Sequence, residues 1–261
     1  MTDWSAVRYM RFAAERTRPS RDLLAAVPDP VRRAVDIGCG PGNSTEALLA
    51  RFPDAEVTGL DNSPDMIAAA RSRLPGVDFQ LAEVADWANS AEAGALDLIL
   101  ANAVLQWLPD HQTLFPRLLA LVAPGGALAV QMPDNLDEPS HRLMREVAAD
   151  GPWSAKLAGA AGARAPRHSA DWYYALLRPG AVRLDIWRTT YFHVLAGAEA
   201  VVDWVKETGL RPFLAPLTEA EREDYLSRYL AGVAKAYPAL PDGTLLLPFP
   251  RLFIVATAAG R

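Results

Sequence analysis

The stretch Asp36-Ile37-Gly38-Cys39-Gly40-Pro41-Gly42-Asn43 sets three glycines in five positions directly behind a carboxylate. Glycine at that density marks backbone that must turn sharply or come very close to something. If a short strand delivers Asp36 into the turn and a helix leaves it, backbone N–H groups gather at a helix N-terminus. That is where sheets with helical crossovers bind ligands. A second landmark is Asp61, 21 residues beyond Gly40 and at the end of the run AEVTGL. An acidic side chain in that place can accept both hydroxyls of a ribose. The pair points to an adenosine-bearing ligand without choosing one. The dinucleotide pattern G-x-G-x-x-G needs a glycine where Asn43 stands, so a nicotinamide-dependent oxidoreductase is disfavoured but stays open.

Other reactive side chains point nowhere in particular. Cys39 is the single cysteine, which excludes an intramolecular disulfide and a cysteine-based metal site. No histidine lies near it in sequence, and a thiol between glycines reads as inert packing. His111, His141, His168 and His193 show no short metal-ligand spacing, so no metal is expected. The net charge of −5 and the lack of a basic tail argue against bulk electrostatic binding of nucleic acid. The apolar runs are too short or too interrupted to span a bilayer, and the first residues lack a signal-peptide core. A cytoplasmic protein with no obligate protein partner is the expectation.

These residues need a scaffold, and the 261-residue chain supplies one. AVDIG, AEVTGLD, VDFQLAE, LDLILANA and ALAVQM read as buried strands separated by helical patterns such as NSTEALLARF. Ser63-Pro64 reads as an N-cap followed by a first-turn proline. The fold class is α/β, a doubly wound and mostly parallel sheet. Residues 184–195 (LDIWRTTYFHVL) and 251–258 (RLFIVATA) read as two further strands, giving seven, with helices inserted at 198–237. The expected organisation is a helical lid over 1–29, a cofactor core over 30–133, a helical cap over 134–183, and the last strands over 184–261. Within the lid, Tyr9, Phe12, Ala13 and Arg16 share a helical face that Pro19 should end, with another short helix after it. In the late strand, Trp187, Thr189, Tyr191 and His193 share one face and Arg188 takes the other.

The motif DIGCGPG, with Asp61 after the second strand, resembles the class I S-adenosylmethionine-dependent methyltransferases. Ala82-Glu83-Val84 stands where that superfamily places an acidic–hydrophobic pair beside the adenine. Many relatives carry Asp in place of Glu83. Asn102 stands where relatives line the mouth of the methyl-donor site, and APGGALAV resembles their turn before the fifth strand. A closer resemblance, to the trans-aconitate methyltransferases, runs through ANAVLQWLPDH, VQMPDN, EPSHRLMREVA, DIWRTTYFH, DWVKETGLRPFL and FPRLFIVA. It implies S-adenosylmethionine held by Asp36, Gly38, Gly40, Gly42, Asn43, Asp61, Asn62, Glu83, Val84 and Asn102. It also implies methyl transfer to a carboxylate of a small polycarboxylic acid; another small acid or a hydroxylated metabolite is the alternative. A carboxylate is ionised at neutral pH and needs no general base, so no catalytic side chain is assigned. A buried polyanion does need cations, and guanidinium groups suit carboxylates best. Arg16, Arg18, Arg188 and Arg211 are the candidates, with Tyr9, Trp107 and Tyr191 as further substrate contacts.

Overall fold

The computed structural model describes residues 13–162, 167–206 and 208–260. Seven strands form one sheet: β1 (Arg33–Ile37), β2 (Glu56–Asp61), β3 (Asp78–Leu81), β4 (Leu96–Asn102), β5 (Val122–Pro133), β6 (Ala181–Leu195) and β7 (Leu245–Ala258). Their spatial order is β3-β2-β1-β4-β5-β7-β6. β1 pairs in parallel with β2 and β4, β2 with β3, and β4 with β5. Parallel strands covered on both faces must be apolar throughout. Accordingly Leu98, Ile99, Leu100 and Ala101 of β4, and Ala127 to Val130 of β5, are wholly buried.

The chain divides into two compact units. The first comprises residues up to Met132, Arg167–Arg188 and the stretch from Leu252 onward. Its core runs from Ile37, Leu60 and Ile99 through Phe115, Leu118 and Met132 to Ile254. The second comprises Pro133–Pro166 and Thr189–Arg251. Here helix Pro139–Ala149 is pinned to helix Glu219–Ala236 by phenols. Tyr225 Oη donates to the Met144 carbonyl at 2.8 Å and Tyr229 Oη to the Ser140 carbonyl at 2.7 Å. Buried hydroxyls need such partners, and these fix the register of the two helices.

Several local expectations are met in detail. Ser63 caps helix Pro64–Arg73, its Oγ accepting from Met66 N, with Pro64 at the first helical position. Pro124-Gly125-Gly126 falls where the β4–β5 register slips between Leu96 and Leu98. Gly125 has φ +82°, and a Cβ on Gly126 would come within 2.6 Å of the Asp97 carbonyl oxygen. In β6, Tyr191, His193 and Leu195 are buried while Phe192 and Val194 are exposed, the alternation that the sequence predicts.

Other expectations need correction. The first helix does not stop at Pro19 but runs through it, from Ala13 to Ala25. Proline in a helix interior is unfavourable by about 3 kcal/mol. Leu23 and Leu24, fully buried on the same helix, offset this at roughly 1.5–3 kcal/mol each. β3 is four residues long, shorter than VDFQLAE suggests, and β7 begins at Leu245 rather than 251. The segment 198–237 holds three helices, Ala198–Lys206, Arg211–Leu214 and Glu219–Ala236. Tyr9 and Phe12 lie outside the described residues.

Candidate functional site

The acid of the glycine motif does not face solvent. Asp36, near the end of β1, is wholly buried, and its Oδ2 accepts from Ser44 Oγ and Thr45 Oγ1, both at 2.7 Å. Those hydroxyls lie in the first turn of helix Asn43–Arg51, whose N-cap, Gly42, offers no side chain of its own. Asp36 thereby ties the strand to the helix across the loop. Burial pushes its carboxyl up to about 7, with the two hydroxyls partly opposing and the Asp61 charge adding to the rise.

The sign of the consequence follows from linkage. The folded protein holds a proton on Asp36 that the unfolded chain, with an ordinary carboxyl, releases above about pH 4. Its contribution to stability is therefore complete below pH 4 and is lost as pH rises toward 7. Asp36→Asn imitates the protonated acid and removes that slope. Urea unfolding of the ligand-free protein at pH 5 and pH 8 should show the variant gaining on wild type at pH 8, by a few kcal/mol. Parallel pH profiles for the two proteins would contradict this.

The loop itself is held in a shape only glycine adopts without strain. Gly38, Gly40 and Gly42 have φ of +68°, +55° and +89°. Cys39 N donates to Leu60 O at 2.9 Å, docking the loop on β2. Cys39 packs with Ile67, Ala70 and Phe79, and burial drives its thiol far above the normal range. It is a packed thiol, as its sequence setting suggests. Asp61, at the end of β2, accepts from Gly40 N on Oδ2 and from Ser63 N on Oδ1, both at 2.9 Å. Next to it Asn62 donates to Glu83 Oε1 at 3.1 Å, linking the ends of β2 and β3.

These ends surround a cavity of about 270 Å³. Gly38, Gly40, Asp61, Asn62, Glu83, Val84, Asn102 and Trp107 line it, so eight of the sequence candidates meet in one place. Met66, Ala82, Ala103, Val104 and Leu108 complete the wall. Ala103 is an uncommon non-glycine residue at positive φ, +58°, and it turns the chain from β4 into the Leu105–Trp107 turn. Against the same glycine loop a smaller cleft, room for about one water, is lined by Thr17, Asn43, Ser44 and Asn102. Asn43 Oδ1 and Asn102 Oδ1, of two residues that line this cleft, are buried acceptors with no donor among the described residues. Buried acceptors in that state are unfavourable by about 1–3 kcal/mol each, so a ligand bearing N–H groups is favoured there. A Cβ at Gly40 would meet nothing within 4 Å, which leaves that face of the loop open to a ligand.

The remaining candidates are dispersed. Arg18 is exposed on helix Ala13–Ala25, which carries the backbone of Arg16, and Arg188 is exposed on β6. Tyr191 and Arg211 belong to the second unit, the former buried and the latter half-buried. Sequence reasoning passed over a cluster at the turn after β4. His111 Nε2 lies 2.8 Å from the Leu105 carbonyl and its Nδ1 2.7 Å from Tyr173 Oη. A carbonyl only accepts, so Nε2 carries the proton and Nδ1 accepts from the phenol. Burial lowers the His111 pKa, keeping the ring neutral, and raises that of Tyr173 to about 12. Spacing in sequence could not reveal a pair separated by 62 residues.

Comparison with known proteins gives a consistent picture. Residues 35–128 match a family model described as a methyltransferase domain. The chain is 57% identical over 257 residues to a trans-aconitate 2-methyltransferase of Methylobacterium nodulans, covering 98% of each. It is 56% identical over 259 residues to the enzyme of that name from Yersinia pestis, covering 99% of each. Among solved structures, the Bacillus YcgJ protein superposes with a TM-score of 0.61 at 13% identity, over 94% of this chain and 100% of that one. Phosphoethanolamine N-methyltransferase 2 of Haemonchus contortus, in complex with S-adenosyl-L-methionine, gives 0.56 at 15% identity, over 92% of this chain and 52% of that one. At such identities the structural likeness speaks for the fold.

Proposed function

The chain belongs to the trans-aconitate 2-methyltransferases, and from that premise we propose that it methylates a carboxylate of trans-aconitate, giving the monomethyl ester, with S-adenosylmethionine as donor. The observation that carries this reading is the extent of the similarity. It runs through the second unit as well as the nucleotide-binding core, whereas the general methyltransferase pattern ends at residue 128.

The cavity fits the donor. Asp61 would take the ribose hydroxyls, since two backbone N–H groups already hold its carboxyl group in place beside the cavity. Glu83, steadied by Asn62, and Val84 would border the adenine. Gly38 and Gly40 would let the backbone approach closely, with Gly42 shaping the loop behind them. Asn43 and Asn102 offer acceptors that an amino-acid ammonium group requires, with Asp36 fixing the loop behind them. When bound, the sulfonium supplies an electrophilic methyl group.

What the protein adds is position and dryness. Among the described residues the titratable side chains lining the cavity are Asp61 and Glu83, both proposed to hold the donor and neither proposed as a general base. A carboxylate acceptor needs none. Orientation alone can supply roughly 7–11 kcal/mol of the barrier. Opposite charges cancel in the transition state, so a water-poor wall such as Val104, Trp107 and Leu108 favours the reaction. Residues 1–29, with Tyr9, Arg16 and Arg18, are proposed to act as a lid. Among the described residues no helix is long and apolar enough to cross a membrane. A cytoplasmic reaction on a soluble metabolite accords with that.

The test is incubation with methyl-labelled S-adenosylmethionine and a panel of di- and tricarboxylic acids, read by mass spectrometry. Trans-aconitate should be the preferred acceptor and its monomethyl ester the product; labelling of another acid alone would refute the reading. Asp61→Ala should weaken S-adenosylhomocysteine binding by about 1–3 kcal/mol in calorimetry, through loss of charge-assisted hydrogen bonds. An unchanged Kd would remove Asp61 from the donor site.

A further inference from the structure

The chain from Ala103 to Leu108 supplies one wall of the cavity, through Ala103, Val104, Trp107 and Leu108. The segment is held in a shape it would not keep alone. Ala103 at its start has φ +58°, and Asp110 just beyond it has φ +61°. Neither is glycine, and such conformations persist only where the surroundings impose them. Some of the fastenings are internal. Trp107 N donates to the Val104 carbonyl and Leu108 N to the Leu105 carbonyl, both at 3.0 Å. Gln106 Nε2 donates to the Ala103 carbonyl at 2.6 Å.

Another fastening comes from outside the turn. The Leu105 carbonyl accepts a second hydrogen bond, from His111 Nε2 at 2.8 Å, which uses both of its lone pairs. His111 opens helix His111–Leu121, and its ring lies 4.9 Å from that of Phe115. Tyr173, on helix Ala170–Leu177, packs 5.0 Å from the same Phe115 ring and donates its phenol to His111 Nδ1 at 2.7 Å. Leu105, Phe115 and Tyr173 are fully buried, so water does not compete for these bonds. An apolar side chain would fill the space without them. The neutral imidazole donates at one edge and accepts at the other, and thereby links a distant helix to the wall of the cavity. All of these residues belong to the first unit.

We propose that His111, oriented by Tyr173, is a positioning residue for methyl transfer: it sets the Leu105–Leu108 turn, and with it Trp107 and Leu108, against the methyl donor. This deepens the proposed function and rests on its placement of the donor in the cavity. His111 itself touches neither donor nor acceptor and acts through the Leu105 carbonyl. Loss of one buried hydrogen bond shifts a local equilibrium by up to about 10-fold, here toward a wall that stands away from the donor. In-line displacement is sensitive to such a shift, since misplacement by about 1 Å can slow a reaction roughly 100-fold. A displaced wall also admits water to a site that works best dry.

The test compares wild type with His111→Gln, His111→Asn and Tyr173→Phe. The glutamine amide reaches as far as Nε2 and keeps a donor for the Leu105 carbonyl. The asparagine amide reaches only to Nδ1 and keeps the acceptor for Tyr173 instead. Each loses one hydrogen bond, so a merely structural role would affect the two alike. Thermal melts set a temperature at which every variant is folded. Calorimetry with S-adenosylhomocysteine and kinetics with trans-aconitate at saturating donor then follow. His111→Asn should lower kcat by about 10-fold or more and weaken S-adenosylhomocysteine binding by about 3- to 10-fold, with KM for trans-aconitate changed less than about 3-fold. His111→Gln should restore both kcat and donor affinity to near wild type. Tyr173→Phe leaves the imidazole in place without its orienting bond and should fall between them; it carries the test alone if His111→Asn does not fold. Equal losses in the two His111 variants would overturn the assignment while leaving the proposed reaction intact. So would a Tyr173→Phe variant with the kcat and donor affinity of wild type. A wild type that does not bind S-adenosylhomocysteine would instead remove the donor reading and this assignment with it.

Discussion

Gly38→Ala should abolish measurable donor binding, the largest effect expected of any single-methyl change in the cofactor core. Two independent penalties coincide at this position. The backbone stands at φ +68°, where an L-residue costs roughly 1–2 kcal/mol. The added Cβ would also sit 2.4 Å from both Val104 Cβ and Cγ2, far inside contact distance. Rotating Val104 does not help, because its Cβ is fixed to the backbone of the turn that follows Ala103. Either the glycine loop or that turn must move, and both line the cavity. The loss should be about 100-fold or more in Kd for S-adenosylhomocysteine, measured by calorimetry. The double variant with Val104→Ala should not recover it, since the Cβ–Cβ overlap persists. Recovery in the double variant would show that the side-chain tip, and not the backbone approach, is the constraint.

Trp153→Ala should be the most destabilising substitution in the second unit. The indole is fully buried, and its Nε1 donates to the Val147 carbonyl at 3.0 Å. It meets the Tyr225 ring edge-on at 5.5 Å, and the Arg228 guanidinium lies 5.1 Å from its ring. Truncation removes a large apolar surface, strands a buried carbonyl and leaves a cavity, a change of about 3–5 kcal/mol. Scanning calorimetry should show the transition shifted down by roughly 10 °C. Donor binding, which we propose lies in the first unit, should survive below that transition. A melting profile like that of wild type would mean that the site collapses around the gap.

The fold was legible in the sequence where local chemistry and global fold agree. The three glycines, Ser63-Pro64 and the Pro-Gly-Gly turn each carry a backbone demand that few residues meet, and each stands at the turn or helix start expected of it. Apolar runs such as LILA mark strands buried on both faces, so their order along the chain predicts a parallel sheet. Eight candidate residues line one cavity for the same reason, being set at strand ends and beside the glycines. Pro19 misled because its rule is local, whereas the burial of Leu23 and Leu24 that outweighs it is tertiary. The His111–Tyr173 hydrogen bond escaped because its partners come from distant segments.

The strand order has a consequence for synthesis on the ribosome. β7 is the last strand to be translated, yet it lies between β5 and β6. β6 is complete at Leu195 and its sheet partner does not begin until Leu245. At 5–20 residues per second the nascent chain waits roughly 3–10 s with that strand unmatched. Meanwhile β6 offers Phe192 and Val194 on one face, and its β-branched and aromatic residues are prone to pair with other strands. The β5 edge is equally uncovered during that interval. Burial of these edges falls to β7, so the chain depends on its final strand to leave the aggregation-prone state, and shielding by a chaperone would matter most during that wait.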